Sequence, residues 1–131
     1  MREDTKKCTF DEASEYVELA AEVFSLLSDA TRIRLILALR SDELAVGELA
    51  ERVGKSPTVV SQHLAKLRWA RVVQARQDGT RVYYSLIDEH ARELVDHAVF
   101  QAEHVVDLIP RHHLEGHPTP QELVGQIEGT A

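Results

Sequence analysis

Apolar positions recur at helical spacing through most of this chain. From about Asp11 onward, Tyr16, Leu19, Ala20, Val23, Phe24 and Leu27 fall on one face. This predicts a first helix ending near Ser28. Ser28-Asp29 offers a cap for a second helix, Ala30 to Leu39, with Ile33, Leu35, Ile36 and Leu39 apolar and Arg32 and Arg34 off that stripe. Ser41 and Asp42 break the pattern. Val46, Leu49, Ala50 and Val53 then mark a short third helix, with Gly54 in a C-cap position. Ser56 suits an N-cap and Pro57 a first helical turn, followed by a stripe of Val60, Leu64 and Leu67 running to Trp69. After Ala70 the period changes to that of strands. VVQAR and TRVYYSL flank Gln77-Asp78-Gly79, and Asp-Gly between two β-rich runs predicts a hairpin. Asp88 to about Leu108 returns to a helical period through Leu94, Val95, Ala98, Val99, Ala102, Val105 and Val106, and Pro110 should end or kink that helix.

The middle of this order carries the functional signal. The helix from Ser56 shows Thr58, Ser61, Gln62 and His63 near its start and Lys66 and Arg68 towards its end. Short hydrogen-bonding groups beside cations suit entry into a DNA major groove. Alone, the pattern fits an ordinary amphipathic surface helix equally well. Preceded by a short helix and a tight turn, it reads as a helix-turn-helix. The hairpin that follows, with Arg76 and Arg81 flanking its tip, reads as a wing. The expected fold is therefore mostly α with a small β-hairpin, a winged helix-turn-helix in the order α-α-α-α-β-β-α. Thr58, Ser61, Gln62 and His63 are expected near base edges, with phosphate an equally open partner for His63. Lys55, Lys66, Arg76 and Arg81 are expected to face phosphates, with Ser56 at the mouth of the reading helix.

The chain has 131 residues and a net charge of −7, which at first argues against nucleic acid. The charge is unevenly spread. Between Gly54 and Arg81 lie Lys55, Lys66, Arg68, Arg71, Arg76 and Arg81 against a single acid, Asp78. A local basic face can anchor phosphates while the acidic remainder repels DNA and so helps fix which face docks. No apolar run approaches the roughly 20 residues of a membrane span. The charged start MREDTKKC does not resemble a signal peptide. A single cysteine, Cys8, excludes an intrachain disulfide and fits a reducing cytoplasm. In its polar surroundings Cys8 reads as incidental rather than as a sensor. One domain, 11–109, is expected between a flexible tail, 1–10, and a His-containing tail, 110–131. Long apolar-faced helices at both ends of that domain point to a homodimer, which also suits palindromic operators.

Six of the seven histidines lie between residues 90 and 117, among Asp88, Glu89, Glu103 and Asp107. Imidazole with carboxylate suits borderline divalent metals such as zinc, nickel and cobalt. A solvated helix face followed by a polar tail is the plainer reading of the same residues. His90 and His104 are fourteen residues apart. On one helix that is about 21 Å, too far to share an ion. They can meet only if two copies of the helix run antiparallel across a dimer. There is no HExxH pair and no evident substrate pocket, so a metallohydrolase is set aside and no enzymatic activity is expected.

The segments LSDATRIRLILAL, ELAERVGKSPTVVSQHLAKLR and VVQARQDGTRVYYSL resemble the ArsR/SmtB family of winged-helix repressors, over roughly residues 17 to 108. The resemblance implies a homodimeric regulator that leaves DNA when it binds a metal or another inducer. Zinc and cobalt sensors of the family often carry Asp-x-His and, ten residues on, His-x-x-His or His-x-x-Glu. Asp88 and His90 match the first pair, but position 101 is Gln, a poor ligand. VFQAEH followed by IPRHH resembles instead a nickel/cobalt-sensing branch. That resemblance implies His90, Glu103, His104, His112 and His113 as ligands for Ni(II) or Co(II), with Asp88 a possible sixth. Zn(II), or a non-metal inducer, is the alternative. His97 and His117 are left without a role, and the family's paired cysteines for soft metals are missing.

Overall fold

A computed structural model describes residues 10–108. The tail expected from Pro110 onward therefore lies outside the described residues, as do Cys8, His112, His113 and His117. The elements run α1 (Val17–Leu27), α2 (Ala30–Ala38), β1 (Leu44–Ala45), α3 (Val46–Val53), α4 (Pro57–Trp69), β2 (Val73–Asp78), β3 (Arg81–Leu86) and α5 (His90–Leu108). The chain divides into two units, one ending at Arg92 and one beginning at Glu93, so the boundary falls inside α5.

The first helix starts later than its apolar period predicts. The Asp11 carboxylate accepts from the Ala13 N–H at 2.9 Å and the Ser14 hydroxyl from the Tyr16 N–H at 3.1 Å. Short polar side chains that capture nearby backbone donors hold turns in place of a helix. α2 begins where expected, because the Asp29 carboxylate accepts from the Arg32 N–H at 3.0 Å. α3 ends at Gly54 with φ 68° and ψ 35°, the left-handed region open to glycine, and the Gly54 N–H donates to the Ala50 carbonyl at 2.9 Å. Two residues later the Ser56 hydroxyl accepts from the Val59 N–H at 3.2 Å, with Pro57 in the first turn of α4.

The helix-turn-helix is packed from the residues its spacing singled out. Leu49, Ala50 and Val53 of α3 and Val60, Leu64 and Leu67 of α4 are buried together with Leu35 and Ile36 of α2, Leu39 and Val73. Each of the Val, Leu and Ile side chains contributes about 1.5–3 kcal/mol on leaving water, which holds α4 in a fixed orientation.

α4 closes without glycine. Arg71 takes φ 62°, the Arg71 N–H donates to the Arg68 carbonyl at 3.0 Å, and the Val72 N–H reaches the Leu67 carbonyl at 2.9 Å. This is the two-bond helix end that most chains build on glycine. It turns the chain into β2. β2 and β3 pair antiparallel from Val73↔Leu86 to Asp78↔Arg81. The connection is therefore the two residues Gly79-Thr80, and Gln77 and Asp78, expected in the turn, belong to β2. Gly79, at φ 66°, supplies the positive φ that a two-residue loop needs at its first position. A third strand joins the hairpin. Leu44 and Ala45 of β1 pair antiparallel with Tyr84 and Tyr83 of β3, giving the order β1-β3-β2. The wing is thus one edge of a three-stranded sheet whose other edge leads directly into α3.

Candidate nucleic-acid interface

At 100° per residue, the centre of the α4 surface opposite its buried stripe falls at Thr58, Gln62, Ala65 and Trp69, with Ser61 towards one side. Thr58, Ser61, Gln62 and Lys66 are all exposed. They form a polar strip along a helix that α2 and α3 fix from behind, an arrangement able to lie in a groove and meet base edges. Lys55 is exposed at the N-terminal mouth of α4. Ser56 sits there as well, its hydroxyl already engaged as the cap of α4.

His63 differs from the other three expected readers. It lies about 60° round the helix from Val60, on the flank of the buried stripe, and is half-buried. The Arg32 Nε–H of α2 donates to His63 Nδ1 at 3.1 Å, while Arg32 Nη1 donates to the Leu26 carbonyl at the end of α1 at 2.9 Å. Arg32 therefore touches three structural features at once: the last turn of α1, the cap of α2 and the reading helix. Asp29, which caps α2, is held below the usual carboxylate range, chiefly by the hydrogen bond it accepts from the Arg32 backbone N–H.

The wing splits its two cations. Arg76 is bidentate with Glu43, Nε to Oε2 at 2.9 Å and Nη2 to Oε1 at 2.8 Å. That ion pair lowers the Glu43 pKa and raises that of Arg76, in each case chiefly through the side-chain hydrogen bond between them. The Arg76 and Arg81 guanidiniums lie 5.0 and 5.4 Å from the Tyr83 ring centre. Both arginines are exposed, but Arg76 is already joined to a carboxylate.

On α5 the described metal-ligand candidates are His90 at the first turn and Glu103 and His104 near the end, all exposed. Asp88 Oδ1 accepts from the His90 backbone N–H at 2.9 Å, so one of its oxygens serves the start of the helix. Among the described residues, no three His, Cys, Asp or Glu side chains come together closely enough to hold an ion. No described helix is long and apolar enough to cross a membrane.

Periodicity missed Arg32 and Glu43. Arg32 is 31 residues from His63 and Glu43 is 33 from Arg76. Spacing within a single element carries no trace of either pair.

Comparison with known proteins agrees with this geometry. Residues 29–75 match the model of the bacterial regulatory protein arsR family. The chain is 54% identical over 99 residues to the HTH-type transcriptional regulator KmtR of Mycobacterium tuberculosis, covering 76% of each protein. It superposes on the crystal structure of M. tuberculosis Rv0081 with a TM-score of 0.64 and 34% identity, over 72% of this chain and 96% of that one. A homodimeric winged helix-turn-helix DNA-binding domain from Mycobacterium bovis gives a TM-score of 0.63 at 25% identity, over 75% of this chain and 94% of that one. Relatives of this kind are regulators and not enzymes. A polar-faced helix fixed behind by α2 and α3, a basic wing and these matches together place the chain in the ArsR family of bacterial regulatory proteins, as a winged-helix DNA-binding transcriptional regulator.

Proposed function

We propose that this protein is a homodimeric, metal-responsive repressor acting in the cytoplasm, and that it releases its operator when Ni(II) or Co(II) binds between the two copies of α5. The observation that carries the reading is α5 itself. It is one uninterrupted helix with His90 at its start and Glu103-His104 near its end. Ligands about 21 Å apart on one helix serve a single ion only if a second chain brings its own α5 alongside. The resemblance of VFQAEH and IPRHH to the nickel/cobalt-sensing branch adds His112 and His113 to the set, and the likeness to KmtR supports it.

The donor chemistry fits. Imidazole nitrogens and one carboxylate, five ligands or more, suit nickel and cobalt better than four-coordinate zinc. Gln101 in place of a fourth zinc ligand, and the Asp88 oxygen committed to the α5 start, favour the same choice. When bound, the ion supplies a cross-link between subunits, and the angle between subunits sets whether both copies of α4 reach successive major grooves. In DNA docking, Thr58, Ser61 and Gln62 read bases, while Lys55, Lys66 and Arg81 anchor phosphates beside Ser56, with Arg76 joining them if its Glu43 partner yields. Linkage requires the operator to weaken metal binding by the same factor, typically worth about 1–3 kcal/mol.

The test is a Co(II) titration of the metal-free protein with and without operator DNA. Weak d–d bands of five or six ligands with loss of DNA binding are expected. The double substitution His104→Ala and His113→Ala should leave operator binding intact and abolish release. Normal release in that variant would sink the ligand assignment. Intense tetrahedral bands would indicate a zinc-type site at Asp88, His90 and His104.

A further inference from the structure

The hydrogen bond between Arg32 and His63 has a consequence for how α4 meets DNA. Nδ1 of His63 accepts from the Arg32 Nε–H at 3.1 Å. A protonated imidazole donates from both nitrogens and has no lone pair to offer. In this contact Nδ1 is the acceptor, which leaves Nε2 as the ring's donor. Arg32 is itself held, because its Nη1 donates to the Leu26 carbonyl at 2.9 Å and its backbone N–H is tied to Asp29. The ring cannot rotate without breaking a contact that is anchored at the far end.

From this arrangement we infer that Arg32 is a positioning residue for DNA binding, presenting the Nε2–H of His63 as a fixed donor to a backbone phosphate. The choice of phosphate over base follows from position. The middle of the exposed α4 face belongs to Thr58, Gln62, Ala65 and Trp69, whereas His63 lies further round, on the flank beside Val59 and Lys66, and is half-buried. Residues on the flank of a helix lying in a groove meet the sugar-phosphate wall, and residues on its centre meet base edges. A phosphate oxygen accepts readily from an N–H. Such a bond fixes the register of the helix without reading sequence. The inference rests on α4 being the groove-entering helix.

The experiment uses the full-length protein and a fluorescein-labelled duplex of random sequence, so it does not depend on knowing the operator or the inducer. His63→Asn puts an amide oxygen close to the place of Nδ1 and removes the Nε2 donor. It should keep the Arg32 contact and the thermal midpoint, and weaken duplex binding about tenfold, the effect of one hydrogen bond near the upper end of the ordinary range. Arg32→Lys keeps the charge but loses the planar fork. It should weaken binding to a similar extent, and the double variant should be no weaker than the poorer single. Nitrogen-15 spectra of the imidazole should show one Nε2–H tautomer in the unsubstituted protein and averaged nitrogens in Arg32→Lys. Unchanged duplex binding by His63→Asn would overturn the inference and leave the pair as a contact of the fold alone. Additive losses would also overturn it. Failure of the unsubstituted protein to bind any duplex would instead remove the docking of α4, while the spectra would still test the tautomer.

Discussion

Two helix ends set opposite residues in the same backbone region. Gly54 and Arg71 both take positive φ, 68° and 62°, to close α3 and α4. A non-glycine residue there costs about 1–2 kcal/mol, partly offset by the roughly 0.5–1 kcal/mol of chain entropy that glycine loses on folding. Arg71→Gly should therefore raise stability by about 0.5–1 kcal/mol, seen as a higher urea midpoint at unchanged slope. Gly54→Ala should lower it by about 1 kcal/mol. A Cβ at Gly54 meets nothing within 4 Å, so that loss is one of backbone conformation alone. Asp29 has a depressed pKa, and its contribution has a definite sign with pH. It is complete above the ordinary carboxylate value of about 4 and is lost as pH falls through the lowered folded value. Asp29→Ala should cost about 1 kcal/mol at neutral pH and progressively less in acid. A urea series over pH checks this, and a loss that stays constant into acid would contradict it.

The wing shows how one element restrains another. Glu43, just before β1, holds Arg76 of β2 in a bidentate pair, across β3, which lies between the two strands. Glu43→Gln should leave stability nearly unchanged, since exposed ion pairs contribute little. It should strengthen DNA binding and steepen the salt dependence by about one ion, because a released guanidinium can take a phosphate. Arg81→Ala should do the reverse, weakening all sequences and flattening the salt slope by about one. If Glu43→Gln leaves both affinity and slope unchanged, Arg76 belongs to the sheet and not to the DNA contact. The hairpin was readable from Asp78-Gly79 between β-rich runs, but β1 was not. Two residues carry no period, and Leu44 and Ala45 become a strand only because Tyr83 and Tyr84 stand opposite them.

At the scale of the molecule, α1 is the informative exposed surface. Of the apolar face read from its sequence only Leu27 is buried, while Tyr16, Leu19, Val23 and Phe24 are exposed, Phe24 at 61%. An apolar helix face left in water is a marker of an interaction site, and a second copy of the chain is the occupant the proposed dimer supplies. Phe24→Glu should shift the protein towards monomer in sedimentation equilibrium, make its thermal midpoint lower and less dependent on concentration, and weaken operator binding that needs two half-sites. A variant that remains a tight dimer would exclude α1 from the interface.

The amino-acid sequence by itself determined the helix-turn-helix with its caps at Gly54 and Ser56, the cap of α2 at Asp29, and the buried stripe of α4. All of these depend on residues within a turn or two of one another, where spacing and capping chemistry act directly. The polar strip on α4 and the run of histidines and acids along α5 were visible for the same reason. The tertiary structure decided what joins distant segments: Arg32 to His63, Glu43 to Arg76, β1 to β3. Those pairs arise because separate elements, each folded by local rules, are brought face to face by burial of one shared core. Burial is set by the sum of many apolar contacts and does not specify, along the chain, which polar groups will find themselves opposite one another at its edge.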